Sequence, residues 1–247
     1  MSLLCDSILL IASREAFPEL STGRPRVSHE ALLTVFFEVL RTGMQWRAIH
    51  GMDYRTAHRH FLRWSRAGVF ENAYVRIRKL LGRPRRKGGY LSIDSTYVKN
   101  LFGVDVVGRN PTDRGRLGTK VIAAVDEKGL PVKLAFCGAN VSDHVALHHL
   151  FPIPRRYRGR RVYGDKGFDS KLARDSLRRN GLLPRIPKRG RPVAIWEERM
   201  RRIVERFFSW LDKCRRLIVR YDTTIAAYQG WTWMACYRLC AKRSQCL

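Results

Sequence analysis

Acidic residues are scarce in this sequence. Against 48 lysines and arginines stand 21 aspartates and glutamates in 247 residues, a formal net charge of +27. The basic residues run along the whole chain with no confinement to a tail. Such a chain binds a polyanion through release of counterions from its phosphates, so nucleic acid is the expected partner. A merely solubilised or ribosome-associated basic protein is the plain alternative. Long apolar runs are also missing. None reaches the length needed to cross a bilayer, and the Ile8-Leu9-Leu10-Ile11-Ala12 patch has no basic region before it, unlike a secretory signal. The expectation is a soluble, intracellular protein with no membrane partner. Paired cysteines are lacking as well: Cys5, Cys137, Cys214, Cys236, Cys240 and Cys246 form no C-x-x-C, so neither a zinc knuckle nor a redox motif is present. Reduced cytosolic thiols are expected, with Cys236 and Cys240 stacked on one helix face. No H-E-x-x-H, Gly-x-Ser-x-Gly or P-loop occurs, and there are no repeats or low-complexity tracts.

What is present suffices for one sizeable core and a small extra domain, with 45% hydrophobic residues. Residues 1–22 carry little pattern, and Gly23-Arg24-Pro25-Arg26 reads as a basic turn. From the N-cap Ser28, the spacing of Leu32, Leu33, Phe36, Phe37 and Leu40 predicts a helix over 29–42 that stops at Gly43. A short element spans Trp46 to Ile49. Asp53 caps a third helix, 54–66, with Ala57, Phe61 and Trp64 inward and Arg55, Arg59 and Arg63 along one outer face. This set resembles a helix-turn-helix module with a DNA-facing arginine stripe, or else a small bundle with a solvated face. A fourth helix covers 70–81. Residues 82–89, Gly82-Arg83-Pro84-Arg85-Arg86-Lys87-Gly88-Gly89, contain no apolar residue and mark a basic linker. The division is therefore a helical DNA-binding domain at 1–81, a linker at 82–89 and a second domain at 90–247.

After the linker the hydrophobic period changes from 3.6 to 2. Strands are predicted at 90–99, 120–125, 132–137 and 161–163, with a short edge strand at 183–186 between Pro184 and Pro187. Residues 100–117 read as a loop. Ser142 or Asp143 caps a helix to Leu150, Asp169 caps another to Gly181, and longer helices cover 194–214 and 224–241. This order is α/β (α+β): a mixed five-stranded sheet flanked by helices, matching the ribonuclease H-like fold.

With so few carboxylates, their placement is informative. Asp94 lies mid-strand, on the face shared by Ser92 and Thr96. Asp165 stands where the fourth strand opens onto a glycine turn, a position at which open sheets present functional side chains. Glu205 sits on the polar strip of the long helix, four residues after Arg201, where a surface ion pair is the plain reading. Taken together, two strand carboxylates and one helix carboxylate are the hard oxygen ligands that Mg²⁺ prefers. A pair of such ions roughly 4 Å apart activates an attacking oxygen and stabilises the leaving one at phosphorus.

Three stretches carry a resemblance: Ile93-Asp94-Ser95-Thr96, Gly164-Asp165-Lys166-Gly167-Phe168-Asp169, and Arg201 to Leu211 with Arg216 to Asp222 following. They resemble the DDE transposases of bacterial insertion sequences, of the IS-four/IS-five superfamily type. Asp165 follows Asp94 by 71 residues and Glu205 follows Asp165 by 40, as the family requires. Leu40 to Trp46 and Tyr54 to Phe61 are similar to that family's DNA-binding region. The resemblance implies that Asp94, Asp165 and Glu205 ligate two Mg²⁺ or Mn²⁺ ions, and that DNA is cut at terminal inverted repeats and joined to a target. It also implies a homo-oligomer on DNA, in the cytoplasm with the bacterial nucleoid. The family's third motif often carries a tyrosine seven residues before the glutamate and a lysine seven after it. Here those positions hold Glu198 and Asp212, so Arg201, Arg206 and Lys213 are the candidates to grip the phosphate beside the cut. Two alternatives remain at this point: a basic DNA-binding protein without chemistry, such as a decayed transposase or repressor, and a ribonuclease H-like nuclease.

Overall fold

The structure is a computed structural model and describes residues 3–18, 27–81, 89–192 and 194–244. The expected basic turn at 23–26 and nearly all of the linker at 82–89 lie outside these residues. In chain order the helices are α1 (Leu3–Ala16), α2 (His29–Thr42), α3 (Tyr54–Arg66) and α4 (Val69–Leu80), then α5 (Asp143–Ala146), α6 (Lys171–Arg179), α7 (Ile195–Leu211), α8 (Arg215–Ile218) and α9 (Ile225–Ser244). The strands are β1 (Tyr90–Asn100), β2 (Gly108–Arg109), β3 (Leu117–Asp126), β4 (Pro131–Gly138), β5 (Arg161–Tyr163), β6 (Leu183–Arg185) and β7 (Val219–Arg220). Short 3₁₀ turns cover Trp46–Ala48, Leu147–Leu150, Arg155–Tyr157 and Lys166–Phe168.

The chain divides into two compact units, one of Met1–Arg83 with Leu211–Leu247 and one of Pro84–Trp210. This differs from the sequence-based division, which kept residues 211–247 with the sheet. The physical reason is aromatic. α2 and α3 start and stop on the expected caps: Ser28 Oγ accepts from the Ala31 N–H, Asp53 accepts from the Thr56 N–H, and Gly43 closes α2 in the left-handed region. The inward faces of α2, α3 and α4 carry Phe36, Phe61, Trp64 and Phe70, which meet edge-on or tilted at 5.2–6.3 Å. Trp46 joins that cluster from the 3₁₀ turn, and Trp231 of α9 enters it stacked on Phe61 at 3.8 Å and fully buried. α9 is apolar on most of its surface because helices cover it on several sides, with Tyr74 of α4 packed against Trp233. Cys236, Cys240, Cys214 and Cys137 are buried and stand outside any disulfide. The same unit holds a buried ion pair, Arg216 to Asp222 at 2.9 Å, whose carboxylate also accepts from the Trp231 indole N–H. α1 carried no recognised signal in the sequence.

In the second unit β1 runs antiparallel to β3, with Asp94 opposite Ala123, and β3 antiparallel to β4. β5 then lies parallel to β1 and β6 parallel to β5. The order β4-β3-β1-β5-β6, with β3 alone reversed, is the ribonuclease H-like arrangement of the five expected strands. β2, a two-residue strand paired with β3, lies inside the stretch expected as loop. One face buries Leu91, Ile93, Ile122 and Ala124 against Leu147, Leu150, Phe168 and Leu177. The opposite face receives α7: Ser92 Oγ donates to the Met200 carbonyl at 2.6 Å. α7 ends at Leu211, three residues earlier than expected, so Asp212 and Lys213 lie beyond it.

Trp231→Ala removes the indole stacked on Phe61. Urea unfolding of the helical unit is expected to show a loss of about 3–5 kcal/mol, with Phe61→Ala giving a similar value.

Candidate active site

Strand parity sets Asp94 on the sheet face beneath α7, half-buried, with its Oδ1 accepting from the Ser95 N–H at 2.8 Å. The hydrogen bond from Ser92 to Met200 pins the helix backbone one residue before Arg201. Arg201 and Glu205, one turn apart, therefore come down beside Asp94. Asp165 follows β5 on the neighbouring strand, in a turn that two glycines permit. A Cβ at Gly164 would stand 2.8 Å from Ile93 of β1, and one at Gly167 would stand 2.8 Å from the Asp143 carboxylate.

Arg201 is the cation of this group. Its guanidinium reaches Asp165 at 3.2 Å and Glu205 at 3.7 Å. Its side chain is 17% exposed, while those of the two carboxylates are about half exposed (50% and 53%), so the guanidinium rather than the acids is enclosed. The i, i+4 pair expected on the helix surface is real, but it is only part of a larger cluster. Burial lifts the Asp94 carboxyl to about 6; the Ser95 N–H and Arg201 pull it down, and the charges of Asp165 and Glu205 push it up. One guanidinium does not neutralise three carboxylates. Oxygen donors from two strands and a helix have the chemistry of a hard divalent cation site. As they stand they do not close on a common point: among the described residues no three His, Cys, Asp or Glu side chains gather as a metal site, and Arg201 bridges two of the three acids.

Behind the site lies a network that sequence reasoning missed. Asp143 was expected, with Ser142, as a helix cap, but neither side chain caps α5. The Asp143 Oδ1 instead accepts from Ser95 Oγ at 2.7 Å and from Lys120 Nζ at 2.7 Å, Lys120 being buried in the middle of β3. Lys120 also donates to the Val141 carbonyl. The neighbours of both strand acids, Ser95 and Gly167, thus meet one carboxylate. A lysine inside an otherwise apolar strand was the available signal. Asp169 likewise is not the cap of α6; Ser170 is, accepting from the Ala173 N–H.

The expected DNA-binding arginines fall in several places. Arg55, Arg59 and Arg63 are exposed along α3 and join Tyr54, His58, Leu62 and Arg66 around an open cleft of about 480 Å³. The Arg63 guanidinium lies over the Phe17 ring at 4.4 Å. Arg206 points off the next face of α7 and stacks on Trp210 at 5.6 Å. Lys213 is exposed and belongs to the helical unit. Of the two candidates that share a unit with the carboxylates, Arg201 pairs with them and Arg206 lies over Trp210.

Residues 85–240 match the family described as "Transposase DDE domain", which is well over half of the chain. The chain belongs to the DDE transposases. Residues 10–74 match "Putative transposase of IS4/5 family", covering the second half of α1, all of α2 and α3 and the first half of α4. The transposase is 34% identical over 148 residues to the putative transposase for insertion sequence element IS402 of Burkholderia cepacia, covering 56% of this chain and 70% of that protein. It also aligns with a piggyBac transposase in a synaptic complex with hairpin DNA, at 12% identity and a TM-score of 0.47, over 98% of this chain and 76% of that one. The insertion-sequence type expected from the motifs is borne out, as is a DNA-acting enzyme; a repressor or a hybrid nuclease is not favoured. Membership of the family carries a general dependence on divalent metal. Among the described residues no helix is long and apolar enough to cross a membrane.

The lifted carboxyl of Asp94 has a sign that can be checked. A raised folded-state value stabilises the metal-free protein below pH about 4, and that stability is lost as pH rises through 6. The displacement from 3.8 to about 6 corresponds to roughly 3 kcal/mol. Asp94→Asn in metal-free buffer is therefore expected to raise the melting temperature at pH 7.5 and to leave it nearly unchanged at pH 4.

Proposed function

We propose that Asp94, Asp165 and Glu205 are the catalytic carboxylates of this transposase, which cuts DNA at the terminal inverted repeats of its element and joins the cut ends to target DNA. The observation that carries this reading is the pairing of Asp165, from the β5 turn, and Glu205, from α7, with the Arg201 guanidinium, while Asp94 on β1 lies near enough to feel the charges of all three. Two divalent ions, Mg²⁺ or Mn²⁺, held by these carboxylates would activate the attacking oxygen and stabilise the leaving oxygen at the scissile phosphate. The chain's own contributions follow from its geometry. Asp94 is the most enclosed acid and is fixed by the Ser95 N–H, so it sets the position of the site relative to the sheet. Asp165 and Glu205 are open to solvent on one side, which leaves room for a phosphodiester. Arg201 balances their charge when the site is empty and grips the phosphate beside the cut when DNA enters, taking the part that the family gives to a lysine. Arg206 and Lys213 then contact the backbone further along. Water is the first attacking group and a DNA 3′-hydroxyl the second.

The arginine stripe of α3 and the cleft beside it hold the DNA in the helical domain, through phosphates more than bases. Two ends must be held at once, so the working form is a homo-oligomer on DNA, in the cytoplasm with the nucleoid.

Asp94→Asn, Asp165→Asn and Glu205→Gln are each expected to lower Mg²⁺-dependent nicking of end-containing duplex about a thousandfold or more, with end binding kept. Equal nicking by wild type and Asp94→Asn would sink the assignment. Alanine at Arg55, Arg59 and Arg63 together should do the opposite. End binding in a gel-shift series weakens and its salt dependence flattens, while Mg²⁺ still raises the melting temperature as in wild type.

A further inference from the structure

β5 and β6 are parallel neighbours in register, Tyr163 opposite Arg185. They leave the sheet at the same edge, about one strand spacing or roughly 5 Å apart. Beyond β5 comes Asp165; beyond β6 comes Pro187-Lys188-Arg189-Gly190-Arg191. That loop is tied down. Asp169 Oδ2 accepts from the Arg189 N–H at 2.9 Å, and its Oδ1 accepts from Arg174 Nη2 at 2.6 Å. Arg174 in turn donates to the Ile186 carbonyl at 2.9 Å. The loop then reverses, with the Arg191 N–H bonding the Lys188 carbonyl and Gly190 in the left-handed region. One short segment, Asp165 to Asp169, therefore carries a site carboxylate at one end and the loop's anchor at the other.

Arg185, Lys188, Arg189 and Arg191 are all exposed. Among the described residues Arg185, Lys188 and Arg191 have no ion-pair partner, and the nearby Asp169 carboxylate is engaged by Arg174. Four cations within seven residues repel one another, and a fixed backbone prevents the loop from spreading to relieve it. A polyanion lying along the same sheet edge removes that repulsion.

We infer that loop 187–191 is a DNA-backbone clamp beside the cut, with Asp169 as its positioning residue. The inference rests on the assignment of Asp165 to the cleavage site. Lys188, Arg189 and Arg191 contact the phosphates that flank the scissile one, as point charges that read no sequence.

The test compares two triple variants that lose equal charge at opposite edges of the same strands. One is Lys188→Ala with Arg189→Ala and Arg191→Ala. The other is Arg155→Ala with Arg156→Ala and Arg158→Ala, exposed positions just before β5 begins. Binding of the full chain to a duplex spanning the junction of element and flank is read by fluorescence anisotropy across a salt series. Divalent metal is absent, so the result does not depend on whether the carboxylates cut DNA. The loop triple is expected to flatten the slope of log affinity against log salt by about 3, near one per lost phosphate contact. The opposite-edge triple should change it by less than about 1. Hydroxyl-radical footprints of the loop triple should lose protection at the phosphates flanking the cut. Lys188→Ala alone gives a slope change near 1 and guards against misfolding of the triple. Asp169→Asn, which frees the loop while keeping its charges, should retain the slope yet blur the footprint at the cut. Equal flattening by both triples, no flattening by either, or protection lost only far from the cut overturns the inference.

Discussion

Electrostatic incompleteness governs this molecule. A carboxylate taken out of water on a strand face is costly unless cations attend it, and here two further carboxylates are brought toward it. Among the described residues the cation paired with these acids is Arg201, and it faces the other two. An enclosed guanidinium among partly open acids keeps the fold tolerable without satisfying it. The remaining negative charge is a standing demand for a cation, which is how a folded chain can be ready for metal before any arrives.

Meeting that demand at one point places requirements on distant residues. The β1–β3 register sets Asp94 opposite Ala123, so the strand behind the acid is small and apolar. The parallel β1–β5 pairing brings the end of β5 to the same region, and only glycine fits at positions 164 and 167 beside Ile93 and Asp143. α7 adds the third acid because Ser92 fixes it through the Met200 carbonyl. The Asp143–Lys120–Ser95 network joins β1, β3 and the turn, so a shift in any one of them would be felt by both strand acids.

Much of this could be read from residue order. Period-2 and period-3.6 patterns located the five main strands and most helices, and Ser28, Asp53 and Gly43 acted at the ends where their chemistry places them. The three candidate acids were singled out by strand position and spacing, helped by the rarity of carboxylates in the chain. What was illegible depended on contacts between residues far apart. Nothing local shows that Asp143 would turn from capping to Lys120, because the lysine lies in another strand and only the fold brings it near. Asp169 reads as a cap until Arg189, twenty residues on, claims its second oxygen. The grouping of α9 with the N-terminal helices was illegible for the same reason: the helix is apolar on most of its surface, and sequence alone does not say which partner it fills.

That last packing has a consequence for synthesis. A chain made from its N-terminus presents α2 to α4 first, yet the slot for Trp231 stays open until residues 225–244 have emerged. The five main strands and nearly all of α7 lie within Pro84–Trp210 and emerge before α9 does. Units usually fold in the order in which they are made; in this chain the first-made helices finish last. A nascent or truncated polypeptide therefore holds Asp94, Asp165 and Glu205 while α3, with its arginine stripe, still lacks the ring that stacks on Phe61.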